Sequence, residues 1–421
     1  MRTIGVRLYG SCDIRLEGFE LPEITADEVL MRVVCDSVCA STYKAVIQGK
    51  NHKRVPDTVD RQPVIIGHEF CGEILKVGKN LKNEWKPGMK AVIQPALKLE
   101  SGYDPGYSYP YIGGNTMYAV IPEIVIKRGC LLHYAGNSYF EGALAECLGC
   151  DLRGIKGLYH TDYTNYVRSD GPKARGRVAI LGGAGPMGIG LAELLCGVSD
   201  VSQIVVIDID GERLSDAKQK MGSSGEKETI VRFENITGIE NVEEHLKNIS
   251  NGGFDDVFVM APSNHLFATA EKICREDGCI NFFAGPPQHV FPGTLNLYRV
   301  HYDGIHVVGT AGSIPADMKE ILGLIEEKKI RPAVLVTHIL GLNALKETVF
   351  AMKTPNGGKK VCYNGIELPL TAIRDLPELG KTSKLYRELG TIVSKNGGLW
   401  CEEAERYLLK HAPKADEGEF I

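Results

Sequence analysis

Residues 177–188 have the sequence RVAILGGAGPMG, in which a short apolar run leads directly into a glycine-rich turn. The apolar run predicts a buried strand, and the periodicity of residues 188–196 predicts a helix after the turn. A strand, a GxGxxG turn and a helix in this order form the fingerprint of a dinucleotide site, which the glycine pattern alone would not establish.

Each glycine of the turn has a separate expected role. Gly183 permits the tight turn, Gly185 lets the backbone approach a pyrophosphate, and Gly188 lets the helix pack on the strand. The unpaired N–H groups and the positive dipole end of the helix then face the phosphates. The predicted cofactor-binding residues are Gly183, Gly185, Pro186, Met187, Gly188 and Asp208.

Asp208 follows a second apolar run, Ile204–Ile207, and lies at the end of the second predicted strand. A carboxylate there is expected to accept hydrogen bonds from the ribose hydroxyls of the adenosine and to repel a 2′-phosphate. NAD is therefore favoured over NADP. A turn without a ligand, and NADP use despite Asp208, are the alternatives.

Strands and helices alternate after residue 175, and the strands are apolar on both faces, which predicts a parallel sheet covered on two sides. This part is expected to form a doubly wound Rossmann domain over residues 153–312. Residues 1–152 are β-rich, and residues 313–421 lead through an amphipathic helix back to β-type sequence, so we predict one discontinuous catalytic domain. The predicted strands are Ile4–Tyr9, Val29–Cys35, Gly72–Val77, Ala91–Ile93, Met117–Ile121, Arg177–Gly182, Ile204–Ile207, Thr229–Phe233, Asp256–Met260, Cys279–Ala284 and Ile305–Thr310.

The composition is that of an ordinary globular protein, with 421 residues, 43% hydrophobic residues and a net charge of −5. The chain has no basic block, which argues against a nucleic-acid or anionic-membrane partner. It also has no apolar run of the roughly 20 residues that span a bilayer and no signal-peptide pattern. The twelve cysteines do not fall into paired spacings, which favours a reduced, cytoplasmic setting.

Four residues can form a metal site with an open position. A catalytic zinc needs about three protein ligands, and Cys39 offers a thiolate, His68 an imidazole, and Glu69 or Glu146 a carboxylate. A buried cysteine, or a histidine beside a glutamate, would not by itself indicate a metal.

The runs VCAST (38–42), GHEFCG (67–72) and AECL (145–148), together with the glycine-rich turn, resemble the zinc-dependent medium-chain alcohol and polyol dehydrogenases. The resemblance covers about the first 310 residues and implies an α/β protein with a GroES-like catalytic domain. It implies Cys39, His68 and Glu146 as zinc ligands, and Glu69 as a ligand or a group beside the ligands. It also implies that Ser41 accepts the proton of the zinc-bound alcohol, and that the protein is a homodimer or homotetramer.

The chain departs from the family pattern in three places. Residues 95–129, where many relatives hold a structural zinc with four cysteines, contain no cysteine, so we expect one catalytic zinc and no structural zinc. Thr42 replaces the aspartate that usually supports the metal-binding histidine. Cys147 replaces the proline after the ligand glutamate, which leaves the position of Glu146 less well defined. Cys147 and Cys150 form a CxxC, for which packing is the favoured interpretation over redox chemistry.

Longer stretches, such as PGYS (105–108) and NFFAGP (281–286), resemble members of this family that interconvert a ketose phosphate and a hexitol phosphate. A phosphorylated substrate needs cations near the cleft, and the candidates are Lys53, Arg54 and Arg299. A solvated basic turn is the other interpretation of the loop that contains the first two.

Three other functions remain open at this point. A dehydrogenase acting on unphosphorylated sorbitol or another secondary alcohol would share every catalytic residue. A nucleotide-sensing protein without chemistry is disfavoured by the intact Cys39, Ser41, His68 and Glu146. A zinc-free reductase of the superfamily would generally lack the cysteine and the Gly-His-Glu run.

Overall fold

The computed structural model describes residues 1–222, 229–286, 288–354 and 357–415. Residues 416–421, at the end of the predicted returning segment, lie outside the described residues. The chain forms two compact units. The first consists of Met1–Glu146, Ile314–Glu327 and Val336–Ile421, and the second of Cys147–Ser313 and Lys328–Leu335.

The amino-terminal segment is rich in strands, most of which are largely buried. β3 is the central strand of an eight-stranded sheet and pairs with β5, β7 and β18. β1, β2 and β4 form a separate three-stranded sheet. The elements are β1 (Arg2–Gly10), β2 (Asp13–Glu20), β3 (Val29–Val38), α1 (Ala40–Gln48), β4 (Val64–Ile65), β5 (Phe70–Val77), β6 (Lys90–Ile93), β7 (Tyr118–Ile121), α2 (Glu123–Lys127), β8 (Leu131–His133) and α3 (Tyr139–Lys156), with 3₁₀ turns at Gly49–Asn51 and Lys79–Leu81.

The second unit contains a parallel sheet with the strand order β13-β12-β11-β14-β15-β16, which is the doubly wound order of a dinucleotide-binding fold. Its central strands are buried on both faces because helices cover the sheet. The elements are β9 (Tyr159–Asp162), β10 (Val167–Asp170), β11 (Arg177–Leu181), α4 (Pro186–Val198), β12 (Gln203–Asp208), α5 (Gly211–Gly222), β13 (Ile230–Asn235), α6 (Val242–Ile249), β14 (Phe254–Val259), α7 (Asn264–Ile273), β15 (Cys274–Phe282), α8 (Leu297–Tyr302) and β16 (His306–Gly309).

The returning segment completes the large sheet of the first unit, because β18 pairs antiparallel with β3. Three helices follow the last strand. The elements are α9 (Pro315–Glu326), β17 (Val336–Gly341), α10 (Leu345–Ala351), β18 (Lys359–Tyr363), β19 (Thr371–Ala372), α11 (Leu376–Leu379), α12 (Lys384–Lys395) and α13 (Glu402–His411), with 3₁₀ turns at Pro332–Leu335, Leu342–Ala344 and Ile373–Asp375. None of the helices described here is long and apolar enough to cross a membrane.

The predicted α/β class is confirmed, and each predicted strand overlaps an observed one. The hairpin β9–β10 and the helices α11–α13 were not predicted. The compact units also differ from the predicted domain limits, since residues 147–152 and 328–335 group with the second unit. Arg331 explains the second difference, because its guanidinium Nε and Nη2 donate to the carboxylate of Glu193 on α4, at 3.1 and 3.0 Å.

A buried carboxylate from the last helix fixes the start of α3. Glu405 accepts hydrogen bonds from the backbone N–H groups of Tyr139, at 2.6 Å, and Phe140, at 2.8 Å, and from the hydroxyl of Tyr363, at 3.0 Å. The first turn of a helix has unsatisfied N–H groups, so an acceptor there stabilises the helix that carries Glu146. Burial outweighs these hydrogen bonds and raises the pKa of Glu405 to about 7.

We expect Glu405→Gln to lower stability by about 1–3 kcal/mol at mildly acidic pH, because one of the acceptors of α3 is lost. A carboxyl group whose pKa is raised by folding contributes stability that is lost as pH rises through about 7. The deficit of the variant should therefore shrink between about pH 4.5 and about pH 7. Thermal unfolding across this range tests the prediction, with the exposed Glu403→Gln as the control. A deficit that is independent of pH would contradict it.

Candidate functional site

Cys39, His68 and Glu69 come together although they are separated in sequence. One ligand atom from each lies within 4.8 Å of the other two. Cys39 is the N-cap of α1, and His68 and Glu69 lie between β4 and β5. The end of β3 and the start of β5 are hydrogen-bonded neighbours, through Ser37 N–H to the carbonyl of Glu69 at 2.9 Å, which brings the two loops together.

Glycine is required at the first position of the Gly-His-Glu run. Gly67 has φ +90°, and a Cβ there would lie 2.5 Å from the amide oxygen of Asn115. The left-handed conformation and the close contact both exclude an ordinary side chain. The backbone that presents His68 is therefore fixed locally.

Hydroxyl groups surround the two candidate ligands Cys39 and His68. Ser41 Oγ donates to Cys39 Sγ at 3.0 Å and lies 3.1 Å from His68 Nε2. The Tyr107 hydroxyl donates to Ser41 Oγ at 2.9 Å and lies 3.2 Å from the same His68 nitrogen. Thr42 Oγ1 is 3.3 Å from His68 Nδ1, so Thr42 takes the supporting position that an aspartate would usually hold. With Nδ1 directed at Thr42, Nε2 is the nitrogen that faces Cys39 and Ser41.

The protonation chemistry of the site suits a bound cation. Burial, followed by the charge of Glu69, raises the pKa of the Cys39 thiol to about 12. Burial also lowers the pKa of His68 to about 4, so its imidazole is in the neutral form that binds metals. A positive ion is what would stabilise a thiolate in this environment. The donor set of one sulfur, one nitrogen and one carboxylate fits zinc.

A buried lysine neutralises Glu69. Lys359 Nζ donates to both carboxylate oxygens, at 2.7 and 2.6 Å, and the two side chains are 4% and 1% exposed. Burial alone would raise the pKa of Glu69, but the charge of Lys359 and its hydrogen bonds to the carboxylate outweigh it and the pKa is lowered. Beside this pair, Asp36 accepts from the backbone N–H of Glu69 and from the amide of Asn115. Glu69 is thus ionised and already has a cationic partner.

Glu146 is buried on α3 but is not a member of the Cys39, His68 and Glu69 group found among the described residues. Its charge contributes to the raised pKa values of both Cys39 and Tyr107, as the smallest of the causes. The carboxylate that lies within ligand distance of Cys39 and His68 is that of Glu69.

The glycine-rich turn has the geometry that a phosphate requires. A Cβ on Gly183 would lie 2.7 Å from the carbonyl oxygen of Ile180, and one on Gly188 would lie 2.3 Å from the carbonyl oxygen of Gly183. A Cβ on Gly185 would meet nothing within 4 Å, which leaves open space at the helix N-terminus. Gly185 is the N-cap of α4, with Pro186 and Met187 in its first turn.

Asp208 ends β12 and is held against this turn. Its carboxylate accepts from the backbone N–H groups of Ala184, at 3.0 Å, and Ile209, at 2.8 Å. The nearest arginine in sequence, Arg213, is paired with Asp210 at 3.0 Å. The residues of the second unit therefore fit a dinucleotide whose ribose hydroxyls bind a carboxylate.

The three predicted phosphate cations lie in different environments. Arg54 Nε donates to Asp104 Oδ2 at 2.7 Å, and its guanidinium carbon lies 5.1 Å from the centre of the Tyr107 ring. Lys53 is exposed on the same loop. Arg299 is in the second unit and is held locally, since its guanidinium donates to Asp303, to Glu271 and to the carbonyl of Cys274. Its nitrogens already have protein acceptors, so a role for Arg299 in phosphate binding stays a prediction.

Sequence reasoning missed Tyr107, Lys359 and Asp36. Tyr107 belongs to the PGYS run, which marks a turn but not a contact with His68. Lys359 and Lys360 open an otherwise apolar strand, and such paired charges in a buried strand are the signal that could have been followed. Asp36 lies within the buried strand β3 and offers a similar signal.

Two family models match the chain. One describes an alcohol dehydrogenase GroES-like domain and matches residues 25–149. The other describes a zinc-binding dehydrogenase and matches residues 175–327. The GroES-like part of the predicted fold is confirmed by the first match.

Three curated relatives are similar over 413 residues. An uncharacterized protein, YggP, of Escherichia coli is 44% identical, over 97% of each chain. L-sorbose 1-phosphate reductase of Klebsiella pneumoniae is 43% identical, over 97% of this chain and 98% of its own. Mannitol-1-phosphate 5-dehydrogenase of Aliivibrio fischeri is 41% identical with the same coverage.

A solved structure has the same fold. 2R,3R-butanediol dehydrogenase from Bacillus subtilis matches with a TM-score of 0.70 at 21% identity, over 86% of this chain and 99% of its own.

We expect Lys359→Met to reduce stability by about 3–5 kcal/mol, because the buried carboxylate of Glu69 would lose its cation. Lys395→Met is the control, since Lys395 is an exposed lysine in the last turn of α12 and takes no part in this pair. Thermal and denaturant unfolding of the two variants measures the difference. An equal loss in both would mean that the Glu69 pair has no special role.

Proposed function

The chain belongs to the zinc-dependent medium-chain alcohol and polyol dehydrogenases, and from that premise we propose that it interconverts a ketose phosphate and a hexitol phosphate, as an L-sorbose 1-phosphate reductase does. It is an oxidoreductase that uses zinc and a nicotinamide dinucleotide. When bound, the zinc supplies Lewis acidity at the substrate oxygen and the nicotinamide donates or accepts the hydride.

Cys39 and His68 would hold the zinc together with a carboxylate, and we propose Glu146 as the third ligand because Lys359 already neutralises Glu69. Glu69 lies within ligand distance, but Lys359 neutralises it, so direct coordination of Glu69 would require this ion pair to open. Glu69 therefore acts beside the ligands in this proposal. We keep the expectation of one catalytic zinc and no structural zinc in residues 95–129 as a prediction.

Ser41 is the proposed proton acceptor. Its hydroxyl lies between Cys39 Sγ, His68 Nε2 and the Tyr107 hydroxyl, all within 3.1 Å. A hydroxyl that both donates and accepts can hold a proton leaving the substrate and exchange it with a neighbouring hydroxyl. Tyr107 provides that neighbour.

The proposal of a phosphorylated substrate rests on the cationic side chains near Tyr107. The ring of His52 stacks on Tyr107, with centroids 5.7 Å apart. Burial, followed by the charges of Arg54, Lys53 and Lys44, lowers the pKa of His52 to about 4. The charges of three cations therefore act on His52, whose ring stacks on Tyr107, and the Tyr107 hydroxyl donates to Ser41. Cations grouped at this place favour a dianionic substituent on the substrate.

The second candidate is a dehydrogenase for an unphosphorylated polyol or another secondary alcohol. The ion pair between Arg54 and Asp104 favours this alternative, because Asp104 already neutralises the cation that a phosphate would need. The two functions share the metal and cofactor residues. They differ in what is bound by the loop that contains Lys53 and Arg54, which we call the basic loop.

Homo-oligomerisation and location stay predictions. Strand β16 is at the edge of the parallel sheet, and the second unit exposes apolar side chains near it. Exposed edges and apolar patches of this kind support association with a second copy. The exposed side chains are Leu297, Tyr298, Tyr302 and Val307. A cytoplasmic location is inferred from cysteine spacing alone.

We expect Lys53→Ala and Arg54→Gln each to raise the KM for a hexitol phosphate about 10- to 100-fold, because a charge-assisted hydrogen bond worth about 1.5–3 kcal/mol is lost. The KM for the free hexitol should stay the same. Steady-state kinetics with sorbitol 6-phosphate, mannitol 1-phosphate and the free sugars provides the measurement. Arg61→Ala, an exposed cation of the same loop, is the control. Equal effects on free and phosphorylated sugars would favour the second candidate.

We expect Asp208→Asn to raise the KM for NAD about tenfold and to shift the NADP/NAD preference by a similar factor, since the charge that repels a 2′-phosphate is removed. The asparagine oxygen can still accept from the N–H of Ala184, so the turn is preserved. Kinetics with both cofactors tests this, and Asp210→Asn is the control. An unchanged cofactor ratio would show that Asp208 does not set the preference.

A further inference from the structure

A second group of metal-binding side chains lies within the parallel-sheet unit. His160 on β9, Asp277 within β15 and His306 at the start of β16 each offer a ligand atom, and these atoms lie within 4.8 Å of one another. His160 and Asp277 are 6% and 9% exposed. Neither the glycine-rich turn nor the Cys39 site includes any of the three.

Within the described part of the chain, each hydrogen-bond partner of the two imidazoles is an oxygen acceptor. His160 Nε2 lies 3.0 Å from Asp256 Oδ1, and His160 Nδ1 lies 2.9 Å from the carbonyl and 3.6 Å from the carboxylate of Asp277. His306 Nδ1 lies 2.8 Å from the carbonyl of Gly304, and Nε2 lies 2.6 Å from that of Tyr159.

A neutral imidazole has a single N–H, so each ring would turn a lone pair toward an oxygen. The arrangement therefore calls for positive charge between the rings and these oxygens. Two kinds of cation can supply it, namely a proton on each ring or one metal ion shared by the three side chains.

The surroundings of His160 match those of a metal-bound histidine. Asp256 is fully buried and accepts from Nε2, while its other oxygen accepts from the backbone N–H of Lys173 at 3.0 Å. A carboxylate behind a histidine orients the ring and increases the basicity of the opposite nitrogen. That opposite nitrogen, Nδ1, faces Asp277.

Asp277 is also held in position for a ligand. Its Oδ1 accepts from the backbone N–H of Thr161 at 2.9 Å, which leaves Oδ2 on the side of His160. Two imidazoles and one carboxylate are a ligand set that zinc, nickel and cobalt prefer over magnesium or calcium.

We propose that His160, Asp277 and His306 bind a divalent transition-metal ion of the zinc class, distinct from the ion expected at Cys39 and His68. Ligand atoms about 2.0–2.2 Å from a tetrahedral zinc lie roughly 3.4 Å apart, so a pair separated by the full 4.8 Å would have to approach by roughly 1.4 Å. His306 is more exposed than the other two, and metal binding would require it to exchange one of its two hydrogen bonds for the ion.

The ion would join three strands. β9 belongs to the hairpin β9–β10, whereas β15 and β16 are neighbours in the parallel sheet. A metal bound by residues of all three stabilises the folded unit and has no part in hydride transfer. Because the sequence predicts a single catalytic zinc, this ion would be a second one.

The test counts ions in a protein whose first site has been removed. In a Cys39→Ser, His68→Gln background, chelator-treated protein is equilibrated with Zn²⁺ or Co²⁺ at about pH 8 and its metal content is measured. We expect one ion per chain in this background and none after His306→Gln or Asp277→Asn is added. His301→Gln is the control, because His301 is an exposed histidine of α8 outside the group.

Thermal unfolding supplies a second readout that does not require the metal content of the protein to be measured. Saturating Zn²⁺ should raise the unfolding temperature of the background protein, because the ion binds only the folded state. The increase should be absent in the His306→Gln protein. Equal metal content with and without His306, or an unfolding temperature that Zn²⁺ leaves unchanged, would overturn the proposal and leave protons as the cations of the group. Neither result depends on the substrate of the enzyme.

Discussion

The buried ion pair between Lys359 and Glu69 is the interaction on which the metal centre depends. The two residues are 290 positions apart, and both are almost fully excluded from water. Taking each charge out of water costs several kcal/mol, so the pair is tolerated only because both carboxylate oxygens are bonded. Glu69 directly follows His68, so the position of its carboxylate also fixes the peptide that presents the imidazole.

This constraint explains why the first unit is discontinuous. β18 pairs with β3 in a register that places Lys360 opposite Val38, next to the helix that begins after Cys39. The returning segment thus brings the ammonium group of Lys359 to a site whose candidate ligands Cys39 and His68 both come from the amino-terminal segment. Without it, Glu69 and the neighbouring Asp36 would be two buried carboxylates close together, and burial together with the charge of Glu69 already raises the pKa of Asp36 well above its usual range.

Features encoded by neighbouring residues were predictable from the sequence. The turn at Gly183–Gly188 depends on steric contacts within a few residues, and the strands around it on short apolar runs, so both are visible in one stretch of sequence. The approach of Cys39 to His68 was predicted only through the family resemblance. Nothing in the residues between them specifies that β3 and β5 are neighbours.

Features that depend on distant partners were not predictable in this way. Lys359 meets Glu69, and Glu405 meets the start of α3, across 290 and 266 positions. Such contacts are set by sheet register and helix packing, to which a local pattern gives no access. The replacement of an aspartate by Thr42 could be seen in the sequence, but that its hydroxyl faces His68 could not. The side chains that tune the ligands were therefore harder to find than the ligands themselves.

Tyr107 connects the chemistry of the site to the residues proposed for recognition. One face of its ring contacts His68, its hydroxyl contacts Ser41, and His52 and Arg54 also lie against it. A change in the basic loop therefore reaches the proton-accepting hydroxyl through one rigid side chain. Under the proposed function, an anionic substrate that drew Arg54 away from Asp104 would also change the contact between Arg54 and the Tyr107 ring. Under the proposed function, the ligand motifs identify the chemistry, and Lys53 and Arg54 are the residues proposed to select the substrate.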